Sequence, residues 1–300
     1  MSDTTAAPLA PEETGPQDQP NGEKVAEATS RKTRRLSPAL LGGAFILICS
    51  LVLAFFPSAF APCDPNAFDY NALLQAPSAA HLFGTDNFGR DMLSRVIHAY
   101  TVDMQIAVFA TVVPTIVGTL IGAFVGYVGG ITESIFGRIV DATITFPFLV
   151  LVIAIVSVLG PGLINMYIAV GIIDWVFYGR LTLTEIKVQK RLDYAAAGQV
   201  MGYRPSRIVF RHLLPNSMTP AFVYWMTDMA LCILLGSSLG YLGLGAQPPA
   251  AEWGVLIADG KNFMTSAWWI SVFPDIAIVF TGLDFSLLGD GITELLRTKQ

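Results

Sequence analysis

Charge is what this chain has least of. Only 14% of its 300 residues are Asp, Glu, Lys or Arg, against 53% apolar, and its mean hydropathy is +0.56. Soluble domains carry about a quarter charged residues, so an ordinary soluble fold is excluded. Three cysteines are scattered at Cys49, Cys63 and Cys232, which is no disulfide framework and no metal spacing. Cys49 and Cys232 lie inside apolar runs and read as small buried hydrophobes, with Cys63 near a surface. His81, Asp86, Asp91 and His98 fit no helical or finger-type ligand spacing, so a structural turn followed by an amphipathic helix is expected there rather than a metal centre.

Catalytic motifs are missing too. The nearest approach to a phosphate loop, Gly254 to Asn262, has five residues between its glycines where four are needed, and Asn262 where a magnesium-binding Ser or Thr belongs. There is no His-Glu-x-x-His, and Gly289-Asp290 has no second aspartate in a matching apolar setting. The chain has no visible means of hydrolysing ATP or a peptide and is expected not to be an enzyme. Its energy must come from a partner or an ion gradient. No nucleic-acid partner, bound cofactor or metal is expected of it.

What is present is long charge-free sequence: Leu36–Cys63, Met104–Thr132, Ala142–Ile173 and Met229–Ala251. Crossing a hydrocarbon core about 30 Å thick takes roughly 20 apolar residues, so each run holds at least one span and lipid is the solvent. Gly160-Pro161-Gly162 divides the third run. The expected architecture is an all-α polytopic membrane protein of six spans, near 39–56, 104–127, 141–159, 163–180, 219–242 and 268–291. A short turn is expected at 129–138.

Residues 1–35 form a polar tail, expected to be disordered and cytoplasmic, that lacks a signal peptide's apolar core. The remaining divisions are a first membrane helix (36–57), an external loop with an amphipathic segment (58–103) and a core domain (104–295) carrying five spans and a cytoplasmic loop (185–216). The tail's Arg31, Lys32, Arg34 and Arg35 abut the first span. Six spans place both termini on one side with all but three of the 18 Lys and Arg residues, the exceptions being Arg90, Arg95 and Lys261. The positive-inside rule makes that side the cytoplasm of a cell-membrane protein.

Gly118, Gly122 and Gly126 recur every four residues, with Gly130 following, and make a flat face for close helix packing. Packing within the chain is the favoured use, ahead of a subunit interface or channel wall. Asp174, Asp228, Asp275 and Asp284 fall in or near spans, where a charge is costly enough to need a wet cavity or a partner. Asp174 and Asp228, with Trp175, are candidates for a translocation path that favours cationic ends of a cargo; the competing reading is that these acids sit paired or protonated near span ends. Trp268 and Trp269 suit an interfacial belt.

The chain is organised around 193–216. Asp193 and Tyr194 open a run of small residues, Ala195-Ala196-Ala197-Gly198, that lets another surface approach the backbone. Gly202 suits a left-handed turn, and Pro215 the first turn of a new helix. A short helix, a turn and a second basic helix carrying Arg207 and His212 are expected before re-entry into the membrane.

This stretch resembles the cytoplasmic EAA loop of ABC importer permeases, carried by Ala196-Ala197-Gly198, Gly202, His212 and Leu214-Pro215 at matching spacing. Ala196 stands at the motif's glutamate and Gly198 at its second alanine. Gly84-Thr85-Asp86 through Gly89-Arg90-Asp91, and the segment 246–254, resemble the dipeptide/oligopeptide subfamily, with the likeness covering about residues 35–297. The resemblance implies a type I importer permease that works with a second homologous permease, two ABC ATPase subunits that hold ATP and magnesium, and an extracytoplasmic peptide-binding protein. The loop would be the coupling helix docked on an ATPase. Nickel chelates or another small solute are alternative cargoes. An ion-coupled secondary transporter is the alternative class, although no inverted repeat is visible.

Overall fold

A computed structural model of the chain describes residues 38–297; the polar tail and its basic cluster lie outside the described residues. Among those described the backbone is helical, and its only β-type pairing is an isolated bridge between Thr85 and Asp91. The long elements are α1 (Pro38–Phe55), α2 (Met92–Val128), α3 (Ile131–Ile144), α4 (Phe148–Leu159), α5 (Leu163–Gln189), α6 (Asp193–Val200), α7 (Leu214–Tyr241), α8 (Trp253–Gly260) and α9 (Trp269–Arg297). Pro205–Arg207 and a π-helical turn, Ile208–Leu213, lead without a break into α7.

Five helices are long and apolar enough to cross a membrane. The third span differs from the expected single helix at 141–159. It is a pair, α3 and α4, bent by 85° at Thr145-Phe146-Pro147. With 12 residues α4 is about 18 Å long, too short to cross alone. The contacts at its two ends show that the pair nevertheless runs the length of the bundle. At the α3 end, Lys187 Nζ meets Glu133 Oε1 at 2.6 Å and Lys190 Nζ donates to the Tyr127 carbonyl at 2.6 Å. At the α4 end, the Gly162 amide donates to Leu244 O at 3.1 Å. The α5–α6 turn and the α7–α8 turn mark opposite ends, so the bent pair is one crossing in two pieces and the crossings number six.

Other boundaries move for identifiable reasons. α2 starts at Met92 rather than 104, because Asp91 caps it by accepting from the Ser94 amide at 2.8 Å and because its charged first turns are paired. The expected turn at 129–138 is the start of α3, entered through Gly129 and Gly130 at φ +71° and +63°. Pro215 sits in the first turn of α7, as expected, but that helix is not separate from the one before it. The proline has no N–H to return to Arg211, and the chain widens into the π turn so that 205–241 runs on as one helix. α5 likewise continues past 180 to Gln189. Cys49 is exposed on α1 rather than buried, whereas Cys232 is buried.

The most extensive contact in the bundle is α2 against α5, and it is made backbone to backbone. A Cβ added at Gly122 would lie 2.9 Å from Gly179 Cα and would overlap its carbonyl; one at Gly118 would overlap the Trp175 carbonyl, and one at Gly126 would lie 2.9 Å from Leu183 O. The glycine stripe is therefore spent inside the chain, on backbone-to-backbone packing. Gly130 lies off that face, in a turn. Gly122→Leu should lower the thermal stability of the protein in detergent by roughly 1–3 kcal/mol, as overpacking does. Gly137→Ala, whose Cβ would meet nothing within 4 Å, should leave it unchanged or raised by about 0.5–1 kcal/mol. Unfolding midpoints of the two variants check the contrast.

Candidate functional site

At the α5–α6 end the small-residue run divides by face. Ala195 and Gly198 are buried, with Gly198 against Tyr203 and Ile208; Ala196 and Ala197 point outward, beside Val200 at 89% and Met201 at 60% exposed. Asp193 stands in the first turn of α6, where a negative charge suits the helix dipole. Tyr194 Oη donates to Gln189 Oε1 at 2.7 Å. Gly202 takes φ +73° with open space around it, and the Tyr203 amide returns to Gly198 O at 3.1 Å. The Arg207 guanidinium lies 4.1 Å over the Tyr203 ring, and His212 stacks on the same ring at 5.9 Å. Beneath them Ala195, Ile208, Val209 and Leu213 pack with Ala123 and Tyr127 of α2 and Ile186 of α5. The elbow is thus wedged onto three spans, with α6 as its outer face. Pro215 is exposed beyond the π turn.

Midway along the bundle, Asp174 of α5 and Asp228 of α7 come together, 2% and 4% exposed, beside a cavity of about 350 Å³. Tyr178 Oη donates to Asp228 Oδ2 at 2.7 Å. The cavity walls include Phe148, Phe177 and Tyr224, and no lysine, arginine or histidine. Trp175 is not among its walls; that ring packs 6.0 Å from Phe136 of α3. The other two acids lie apart from the pair. Asp284 accepts from Ser50 Oγ at 3.1 Å, tying α9 to α1, and Asp275 is exposed.

At the opposite end from α6, charges invisible to a span-by-span reading hold the segment between α1 and α2. Asp86, fully buried, accepts from Arg90 Nε at 2.6 Å and Arg95 Nη1 at 2.7 Å; both guanidiniums also reach Asp259 Oδ2 at 3.3 Å. Asp91 receives His81 Nδ1 at 2.9 Å while capping α2. Trp269 is no belt residue, because its Nε1 donates to the Thr85 carbonyl at 3.0 Å and the ring is buried; Trp268 is half exposed. Glu252 caps α8 by accepting from the Gly254 and Val255 amides at 2.7 and 3.0 Å, and it lies beside Asp103 of α2, whose Oδ2 accepts from the Trp253 amide at 3.2 Å. Sequence reasoning missed this acid pair. Its signals were Asp103 just before a charge-free run and a glutamate one residue before an apolar octet, the position of a helix cap. The string set aside as a failed phosphate loop is α8 itself.

A bundle of six crossings with a polar elbow at one end and a charge-clamped segment at the other is the form of a transport permease. Residues 118–300 match the family of binding-protein-dependent transport system inner membrane components. The chain is 38% identical over 263 residues to a probable D,D-dipeptide transport system permease protein, DdpC, of Escherichia coli, covering 88% of each chain. It is 35% identical over 255 residues to the dipeptide transport system permease protein DppC of Alkalihalophilus pseudofirmus, covering 85% of this chain and 82% of that one. It is also 36% identical over 270 residues to the glutathione transport system permease protein GsiD of Pectobacterium atrosepticum, covering 90% and 89%. The chain belongs to this family of ABC importer permeases, and it is a multi-pass membrane protein.

The Asp103–Glu252 contact has a pH signature. Burial pushes the Glu252 carboxyl above its ordinary range, with the Asp103 carboxyl beside it. An acid raised on folding stabilises the fold at low pH and loses that contribution as pH rises through the raised value. The unfolding midpoint in detergent should therefore fall as pH is raised above the ordinary carboxylate range. Asp103→Asn, which keeps an oxygen for the Trp253 amide and offers Glu252 an N–H, should flatten that fall. An unchanged slope would remove the acid pair from the account.

Proposed function

We propose that this chain is one of two permease subunits of an ATP-driven importer of di- or oligopeptides. The peptide class rests on the names of the relatives, which are dipeptide and glutathione permeases. The second permease completes the path, two ABC ATPase subunits carry ATP and magnesium, and an extracytoplasmic binding protein delivers cargo. In this reading the α6 end, rich in Lys and Arg, lies in the cytoplasm with both termini.

The observation that carries the reading is the elbow. α6 offers small and apolar side chains outward, while its inner face is wedged onto α2, α5 and the continuous helix 205–241. A partner gripping Ala196, Ala197, Val200 and Met201 pushes on a rigid lever rather than on a loop. The helix beneath α6 runs through the π turn into α7 without a break, so displacement of α6 against that helix reaches the depth of Asp228. Switching then follows from differential grip: the nucleotide-bound ATPase pair holds one permease conformation more tightly than the other. Chemistry stays on the partner, and this chain changes shape.

Ala197→Arg places a bulky charge on the gripping face, and Gly202→Val strains the turn at φ +73°. Each should leave membrane insertion intact and lower ATP-driven uptake by roughly tenfold or more, about 1.4 kcal/mol of lost docking, while the ATPase subunits continue to hydrolyse. Parallel uptake and phosphate-release assays on the reconstituted system check this. Unchanged coupling in both variants counts against the elbow's role.

A further inference from the structure

The cavity between α4, α5 and α7 holds an unanswered charge. Asp174 Oδ2 is buried and accepts from no donor, and the group facing it is another carboxylate, Asp228, itself engaged by Tyr178. No cationic side chain lines the cavity to balance the pair. Asp174 lies about 17 Å along α5 from its Leu163 end and about 22 Å from its Gln189 end, at 1.5 Å per residue, so the pair sits near the middle of the membrane. Carboxylates at that depth are costly if they face lipid, and groups so placed mark substrate or ion pathways.

The remaining walls suit one chemistry. Phe148, Phe177 and Tyr224 turn aromatic surface to the cavity, which attracts an organic cation through the ring faces. Leu149, Leu231 and Leu234, also in its walls, are exposed on the flank of the subunit, so the cavity opens sideways. A volume of about 350 Å³ takes one residue of a peptide, not the whole of one.

We propose that Asp174 and Asp228 form a site for a primary ammonium group, the free amino terminus of a peptide passing between this subunit and the second permease. This rests on the peptide-import reading and names the part of the cargo that this chain itself recognises. The ammonium's three N–H donors answer Asp174 Oδ2 and share Asp228 with the Tyr178 hydroxyl. Asp174 is a binding residue, and Tyr178 positions Asp228.

The test is equilibrium binding of radiolabelled trialanine and N-acetyl-trialanine to the purified complex of both permeases and the ATPase subunits. The external binding protein is left out, so that its own selectivity does not enter. Wild type should bind trialanine and hold the acetylated form about tenfold or more weaker, the worth of one hydrogen bond to a charge. Asp174→Asn and Asp228→Asn should erase that preference in complexes that still assemble, and Asp275→Asn, at an exposed acid of α9, should keep it. Equal binding of the two peptides by wild type, no binding of trialanine, or an intact preference in both Asn variants overturns the amine site. Peptide import as such falls only if the complete system, binding protein included, takes up no peptide.

Discussion

The backbone of α2 lies against the backbone of α5, and everything else in the bundle takes its place from that contact. In lipid there is no hydrophobic drive between helices, so association rests on close packing and on the polar groups that close packing brings together. Gly118, Gly122 and Gly126 remove the side chains that would hold the two helices apart. With α5 fixed against α2, Lys187 and Lys190 reach Glu133 and Tyr127 at one end of the bundle. The adjoining face of α5 meets α7 through Asp174 and through Tyr178, which packs against Gly118 and reaches Asp228. The same face of α2 continues to Ala123 and Tyr127, which form the seat of the elbow.

Charge is scarce in this molecule, and where it is buried it is nearly always answered. The segment between α1 and α2 is clamped by one aspartate between two arginines, Asp86 with Arg90 and Arg95, and the helices at that end are capped by Asp91 and Glu252. Asp284 takes a hydroxyl from Ser50. Asp103, Asp174 and Asp284 each keep one buried oxygen that no donor reaches, and of the three only Asp174 borders the cavity between α4, α5 and α7, whose walls carry no cation. That placement leaves its oxygen open to a donor that arrives from outside.

Much of this was legible from charge and glycine spacing. Runs free of charge located the crossings, because lipid tolerates so few charged groups, and the four-residue glycine period located the most extensive helix contact. Helix ends were less legible. A rule that stops a span at its first charge cannot see α2 reaching back to Met92, since Arg95 pairs with Asp86, outside the helix, and Asp103 accepts from the Trp253 amide, 150 residues on. The break at Thr145–Pro147 was hidden for a related reason: Pro147 sits in an apolar run whose hydropathy says nothing about direction. The split of 195–198 into buried and outward pairs was also out of reach, as it depends on Tyr203 and Ile208 folding back beneath the helix. Asp174 and Asp228 could be named from sequence, but not their meeting.

The account turns on α6 being an inward-facing handle held by a separate nucleotide-hydrolysing protein. The most direct measurement is the reactivity of a single cysteine at Ala197, in a chain whose Cys49, Cys63 and Cys232 have been replaced, toward a membrane-impermeant maleimide. The account predicts no labelling from the external face, ready labelling in inverted vesicles stripped of peripheral proteins, and protection when the ATPase subunits are added back. Labelling from outside, or labelling from inside that the ATPase subunits do not suppress, would contradict it.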